Sequence, residues 1–151
     1  MSEEKRDAQA LRDEYIDHMM NPRNYGKLDS PSAMGIGKNP NNGELVEIYL
    51  KIDGEIITDI RFQAIGCMST IVTGSIFTDM IKGETIAEAE DVVEDFLKRI
   101  ETAPPEQKAC AEMVAKAFMA ALLNLEERKC GKEAESYTLM ISEDCITDEE
   151  E

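Results

Sequence analysis

Residues 46–64 read VEIYLKIDGEIITDIRFQA, with apolar and polar side chains alternating on both sides of a central Asp53-Gly54 pair. Alternation with a period of two is typical of a strand with one buried face, and Asp-Gly favours a tight hairpin turn. We therefore predict a β-hairpin. Its inward face is predicted to carry Val46, Ile48, Leu50 and Ile52 from the first strand, and Ile56, Thr58, Ile60, Phe62 and Ala64 from the second.

The segments around the hairpin must cover it, because a lone hairpin is only marginally stable in water. Helical spacing and breakers predict helices over 7–20 (ending before Pro22), from Cys67 to near Gly83, over 86–91 and 92–100, and over 106–129. Residues 25–43 are rich in Gly, Pro, Asn and Ser, which favours a loop. Residues 137–141 are predicted to add a short strand. The predicted fold class is α+β, with a small antiparallel sheet packed against helices.

The composition restricts the kinds of partner that the chain can have. Its 151 residues suffice for one domain with a core, and 32 Asp and Glu against 16 Lys and Arg give a net charge of −16. This charge repels nucleic acids and anionic membranes, so we expect neither as a partner. It suits either a basic protein partner or a solvated surface without a special role. The charged N-terminus and the absence of a long apolar run lead us to expect a cytoplasmic protein.

Four cysteines in a reducing compartment indicate metal, sulfur or redox chemistry more than disulfide bonds. Cys67 stands where the second strand meets the next helix, and Cys110 follows Pro104-Pro105 near the start of the long helix. The partial positive charge at a helix N-terminus favours thiolate, which is the form that binds soft metals. The competing interpretation is a buried thiol that packs like a small apolar residue.

The other candidate ligands have less favourable surroundings. Cys130 is at the C-terminal end of the long helix and Cys145 lies between acidic residues. Both environments disfavour thiolate, so we interpret both cysteines as incidental. His18, the single histidine, is predicted to be a surface residue on the polar side of the first helix. The sequence contains no CxxC pair, which argues against an ordinary zinc ribbon.

Three segments, in order along the chain, are similar to a known family. They read DHMMNPRNYG at 17–26, IRFQAIGCMSTI at 60–71 and IKGETIAEA at 81–89. Together they resemble NifU/IscU-type iron–sulfur cluster assembly scaffolds. The resemblance implies a SufE/NifU-like fold with a three-stranded antiparallel sheet packed against helices. It also implies a role without enzymatic activity: such proteins receive sulfur from a cysteine desulfurase, gather iron, assemble a 2Fe–2S cluster and pass it to apo iron–sulfur proteins.

The chain departs from the family pattern at the ligands. The resemblance implies three ligand cysteines and a nearby aspartate. The first cysteine corresponds to Asn42 and the aspartate to Glu44, whereas the second and third cysteines are retained as Cys67 and Cys110. Ala109 replaces the histidine that precedes the third cysteine. Asn42 cannot act as a soft ligand in place of a thiolate.

The last part of the chain also departs from the family. Of the chaperone-recognition motif only Pro104-Pro105 remains, and the residues after about 124 have no family counterpart. We therefore predict a scaffold domain over 1–131 and an acidic, partly disordered C-terminal extension over 132–151.

Two family cysteines leave the ligand set incomplete, because a 2Fe–2S cluster needs four ligands. Two protomers could each contribute Cys67 and Cys110, which we favour because this homodimer needs no unusual ligand. Alternatively, Glu44 supplies a weak oxygen ligand, or Cys130 or Cys145 folds back. The sequence therefore predicts a scaffold or carrier that holds a 2Fe–2S cluster, or an iron or zinc ion, transiently.

Other functions stay open at this point. One is a degenerate regulatory protein that docks on the assembly machinery without holding a cluster. Another is a sulfur acceptor that carries a persulfide on Cys67 or Cys110, and a third is a protein with a structural zinc ion.

Overall fold

The computed structural model describes residues 13–40, 43–66, 68–99, 105–131 and 136–140. In chain order its elements are helix α1 (residues 13–20), strands β1 (Ala33–Lys38), β2 (Leu45–Asp53) and β3 (Ile56–Ile65), helices α2 (Met68–Ile81), α3 (Ile86–Arg99) and α4 (Pro105–Lys129), and strand β4 (Tyr137–Met140). None of the helices in the described residues is long and apolar enough to cross a membrane.

The strands form one mixed sheet in the order β3-β2-β1-β4. Strands β1, β2 and β3 are antiparallel neighbours, so the predicted α+β fold with three antiparallel strands is confirmed. Strand β4 adds a fourth member that runs parallel to β1, pairing Tyr137 with Gly35 and Met140 with Lys38. The short strand predicted near residue 137 is thus present. The domain boundary at residue 131 stays a prediction.

Strand β1 lies within residues 25–43, where composition predicted only a loop, so that prediction was wrong for 33–38. The glycines that suggested a loop have a packing reason. A Cβ at Gly35 would overlap the backbone of Ala121, and a Cβ at Gly37 would overlap the carbonyl of Met113. Glycine in this strand therefore permits direct backbone contact with helix α4.

The predicted hairpin is confirmed, with one change of phase. Gly54 has a φ of 65°, as the tight turn requires. The β2–β3 register shifts between Lys51 and Ile52, which forms a β-bulge. Beyond the bulge Ile57 is fully buried whereas Ile56 is exposed, so the prediction that Ile56 and Thr58 face inward was wrong. The predicted inward residues that are fully buried are Val46, Ile48, Leu50, Ile60 and Phe62.

The helices follow the predicted order. Thr85 and Glu88 cap α3 reciprocally: the Glu88 amide donates to the Thr85 hydroxyl and the Thr85 amide to the Glu88 carboxylate, both at 3.1 Å. The two short helices predicted over 86–100 form one helix, Ile86–Arg99, because this segment contains no Gly or Pro that would interrupt it. Residues 7–12 of the predicted first helix lie outside the described residues.

Aromatic side chains join the helices to one another and, through Phe62, to the sheet. Phe77 of α2 contacts Phe118 of α4 and Phe96 of α3, with ring centroids 5.7 and 5.3 Å apart. Gly74 of α2 faces the ring of Phe62, where a Cβ would lie 2.5 Å from a ring carbon. Helices α2 and α4 are therefore both held close to the same face of the sheet, which brings their N-terminal turns together.

Candidate functional site

Two of the three predicted site residues are described. Cys110 and Glu44 have defined positions, whereas Cys67 and the substituted position Asn42 lie outside the described residues. Gly66 and Met68, the chain neighbours of Cys67, are described and mark the junction between β3 and α2. The geometry of the site is therefore built from Cys110, Glu44 and this junction.

Cys110 is buried in α4, with 5% of its surface exposed. Its Sγ lies 3.2 Å from the hydroxyl oxygen of Thr70, which is in the first turn of α2. As the sixth residue of α4, Cys110 lies beyond the first turn, where the field of the helix N-terminus has fallen off. The expected helix-dipole effect is thus replaced by a direct contact with a hydroxyl group from another helix.

Glu44 lies directly before β2, on the strand that pairs with β3. Leu45 pairs with Ile65, so the next pair outward in this antiparallel register is Glu44 and Gly66. A Cβ at Gly66 would lie 3.2 Å from the Glu44 carboxyl carbon and 3.4 Å from the Thr70 hydroxyl. Glycine at position 66 therefore leaves room for the carboxylate and the hydroxyl at the start of α2.

These contacts form a continuous series from Glu44 through Gly66 and Thr70 to Cys110. It joins three separate parts of the chain: the start of β2, the β3–α2 junction and the second turn of α4. The series supplies one carboxylate and one thiol, and within the described residues no group of three or more His, Cys, Asp or Glu is placed to hold a metal ion. Thr70 was not predicted as a site residue, since a threonine at a helix start has no distinctive sequence signal.

His18 is buried, with 4% exposed, so the prediction of a surface histidine was wrong. Its Nδ1 lies 2.6 Å from the hydroxyl oxygen of Ser75 in α2, and the Arg23 amide donates to the same oxygen at 2.7 Å. The side of α1 that carries His18 therefore packs against α2, because Ser75 offers a buried polar partner. This network fixes the N-terminal segment to the core and lies apart from the series that ends at Cys110.

Outside this series of contacts, Cys130 and several apolar side chains are exposed to solvent. Cys130 is exposed and free, and Cys145 lies outside the described residues. Ile65 and Met68, on either side of the β3–α2 junction, are 64% and 51% exposed. Tyr15 of α1 is also exposed, and its hydroxyl lies 3.3 Å from that of Ser69. Exposed apolar side chains thus surround the junction.

Comparison with known proteins finds one family and many relatives. A family model described as the NifU-like N terminal domain matches residues 10–132. The iron–sulfur cluster assembly scaffold protein IscU 1 of Archaeoglobus fulgidus is 39% identical over 121 residues, covering 80% of this chain and 78% of the relative. The corresponding IscU of Azotobacter vinelandii is 32% identical over 124 residues, covering 80% and 97%.

Solved structures show the same fold. A NifU-like protein (N-terminal) from Brucella abortus superposes with a TM-score of 0.62 at 18% identity, over 76% of this chain and 93% of the other. A putative iron–sulfur cluster assembly scaffold protein from Fervidobacterium islandicum gives a TM-score of 0.53 at 22% identity, over 75% and 91%.

Proposed function

This chain belongs to the NifU-like N-terminal domain family, and from that premise we propose that it is an iron–sulfur cluster assembly scaffold that holds its cargo through Cys67 and Cys110, with the Glu44 carboxylate beside them. Relatives at 30–39% identity are named as such scaffolds, and four of them cover 80–90% of this chain. The cargo is iron and sulfide, held as a 2Fe–2S cluster or as a single metal ion before release.

The observation that carries the proposal is the series of contacts from Glu44 to Cys110. Gly66 directly precedes Cys67 in the chain, and Gly66 adjoins both the Glu44 carboxylate and the Thr70 hydroxyl. The same hydroxyl contacts the Cys110 sulfur. The fold therefore supports a site in which Cys110 and Glu44 flank the segment that carries Cys67.

The donor set accounts for transient rather than permanent binding. Two thiolates suit iron in a sulfide cluster, whereas a carboxylate oxygen is a harder and weaker donor for such a centre. Asn42 stands where the resemblance implies a further cysteine. A protomer thus offers two sulfur ligands, and a cluster with four thiolates forms when two protomers contribute Cys67 and Cys110 each. A cluster or metal ion that is held by so few ligands from each protomer is released more easily to a recipient protein.

The Thr70 hydroxyl contacts the sulfur of Cys110 without being one of the proposed ligands. A thiolate can only accept a hydrogen bond, so with Cys110 ionised the Thr70 hydroxyl is the donor across their 3.2 Å contact. Such a bond stabilises the charged form that binds metal. Both groups are buried, so little water competes with this contact.

The proposed partners follow from this role. A cysteine desulfurase supplies sulfur and apo iron–sulfur proteins receive the cluster, in the cytoplasm and without catalysis by this chain. The exposed Ile65 and Met68 offer apolar contact beside the site, and the net charge of −16 suits a basic docking patch.

Anaerobic reconstitution with ferrous iron, sulfide and a thiol reductant tests the proposal. We expect absorbance in the visible region and bound iron and sulfide, both lost in Cys67→Ala and in Cys110→Ala. Cys130→Ala is the matched control and should retain both, because Cys130 lies at the far end of α4. Failure of the wild-type chain to retain iron, or full retention by both cysteine variants, would contradict the proposed site.

The mass of the loaded protein tests how the ligand set is completed. Light scattering after reconstitution should give a dimer with one cluster per two chains, whereas the apoprotein should be smaller. Glu44→Gln should then leave the dimeric cluster in place. A monomer whose iron is lost in Glu44→Gln would instead indicate that the carboxylate is a ligand.

A further inference from the structure

A groove of about 340 Å³ lies between helices α3 and α4, away from the site described above. Its floor and walls are mainly apolar. On α4 the exposed fractions of Met119 and Leu123 are 39% and 41%, and these residues are one helical turn apart on the same face. The apolar lining residues are Ile86, Met119, Leu122, Leu123 and Leu125.

The rim of this groove is acidic. Glu90 and Glu126 line it, against one cation, Lys129. One helical turn after Glu90, the exposed Glu94 adds a further negative charge on the same side of α3. An apolar lining with this rim favours a ligand that brings both apolar side chains and positive charge.

We propose that this α3–α4 groove binds an amphipathic helix of a partner protein whose apolar face is flanked by Lys and Arg. Apolar grooves between helices accept such helices through anchors spaced at i, i+3 or i+4, and i+7. Negative charge disfavours two other possible occupants of the groove, a second copy of this chain and its own residues 141–151. A second copy of this chain would bring another −16, and residues 141–151 carry six Asp and Glu with no Lys or Arg.

The position of the groove along α4 makes this binding compatible with an occupied metal site. Cys110 and Met119 are nine residues apart in the same helix, which corresponds to roughly 14 Å along its axis. A helix in the groove therefore contacts the C-terminal half of α4, while the end that carries Cys110 stays open. The proposal goes beyond cluster assembly and does not depend on the ligand residues.

A synthetic peptide serves as the probe. We would use a fluorescein-labelled peptide of about 16 residues, or about 24 Å as a helix, with Leu at helical spacing on one face and Lys and Arg on its flanks. The control peptide has the same composition in scrambled order. Fluorescence anisotropy with the full-length protein should show saturable binding of the ordered peptide that weakens with added salt.

Two variants place the peptide in the groove. Leu123→Glu and Glu126→Lys should each weaken binding by about tenfold or more, through loss of apolar contact and of charge complementarity respectively. Asp29→Lys makes the same change of charge at an exposed residue that does not line the groove, and should leave the affinity within about twofold once screening by salt is matched. Amide NMR spectra would be used to check that each variant is folded. In the wild type they should show peptide-induced shifts around Met119 and Leu123.

Several results would overturn the proposal. They are equal binding of the scrambled peptide, unchanged affinity in Leu123→Glu, and NMR shifts confined to residues outside the groove. A concentration-dependent dimer that Leu123→Glu abolishes would assign the groove to a second copy instead. The double variant Cys67→Ala, Cys110→Ala should bind the peptide like the wild type, so failure of the metal site and failure of the groove are distinguishable.

Discussion

Gly35 of β1 and Ala121 of α4 are in backbone contact, so close that a side-chain carbon at position 35 would overlap the helix. Gly37 makes the same kind of contact with the carbonyl of Met113, which lies three residues after Cys110. The two glycines therefore set the distance between the sheet and the helix that carries a proposed ligand.

The first prediction concerns this contact. Gly37→Ala should destabilise the fold by about 1–3 kcal/mol, because the added methyl group must push α4 away from β1. Urea denaturation measures the loss. The control is Ile36→Val, whose side chain is only partly buried and which should lose about 1 kcal/mol or less. Equal stabilities of Gly37→Ala and the wild type would mean that α4 shifts without penalty.

The second prediction concerns the hydroxyl next to Cys110. Thr70→Val keeps the shape of the side chain but removes the donor, so the affinity of the site for Co²⁺ should fall by about tenfold. The thiolate–cobalt absorption band gives the affinity by titration. Thr73→Val is the matched control on the same helix, since the Thr73 hydroxyl donates to the Ser69 carbonyl instead. An equal loss in both variants would point to a general effect on α2.

The third prediction concerns the buried hydroxyl of Ser75. It is the shared partner of the His18 ring and the Arg23 amide, at 2.6 and 2.7 Å. Ser75→Ala leaves both without this partner and should destabilise the fold by about 1–3 kcal/mol. Hydrogen exchange should also become faster in residues 17–23. Ser69→Ala removes only an exposed contact with Tyr15 and should have little effect on either measurement.

The fourth prediction is a dependence on pH. The hydrogen bond from the Arg23 guanidinium holds the pKa of Asp17 below its usual value of 3.8. A carboxyl group whose pKa is lowered by folding stabilises the folded state above its unfolded pKa, and this contribution disappears as the pH falls through the folded pKa. Arg23→Gln should therefore raise the pKa of Asp17, as followed by NMR of the side-chain carboxyl carbon.

The ion pair between Asp17 and Arg23 also provides a control for this prediction. The difference in stability between the wild type and Arg23→Gln should shrink when the pH is taken below the pKa of Asp17, because both proteins then carry a neutral side chain there. The two residues are well exposed, so the difference at neutral pH should be small. A difference that persists in acid would assign the effect to other contacts of Arg23.

The sequence predicted those parts of the fold whose signals are local. The hairpin turn at Gly54 and the Thr85–Glu88 cap depend on neighbouring residues, and both are present, although Asp53 itself still belongs to β2. Strand β1 was missed because Gly35 and Gly37 have the composition of a loop. Their role depends on α4, more than 75 residues later, which no local pattern can reveal.

The phase of β3 and the burial of His18 were missed for the same reason. One extra residue at the bulge turns Ile57 inward in place of Ile56, and strict alternation cannot anticipate that insertion. His18 looks polar on its own helix, but Ser75 of α2 supplies the partner that permits burial. For the candidate site, Glu44 and Cys110 came from the sequence, whereas Thr70 emerged only from the packing of α2 on α4.

The outer edge of β3 has a further consequence. The backbone of Ile57 bonds to Gly83 and Glu84, and the backbone of Phe62 bonds to Asn24 and Gly26. Donors and acceptors that would otherwise be available to a strand from another molecule are therefore already occupied at two points. A chain of this scaffold family is thus protected, along this side of its sheet, against edge-to-edge aggregation with its own copies.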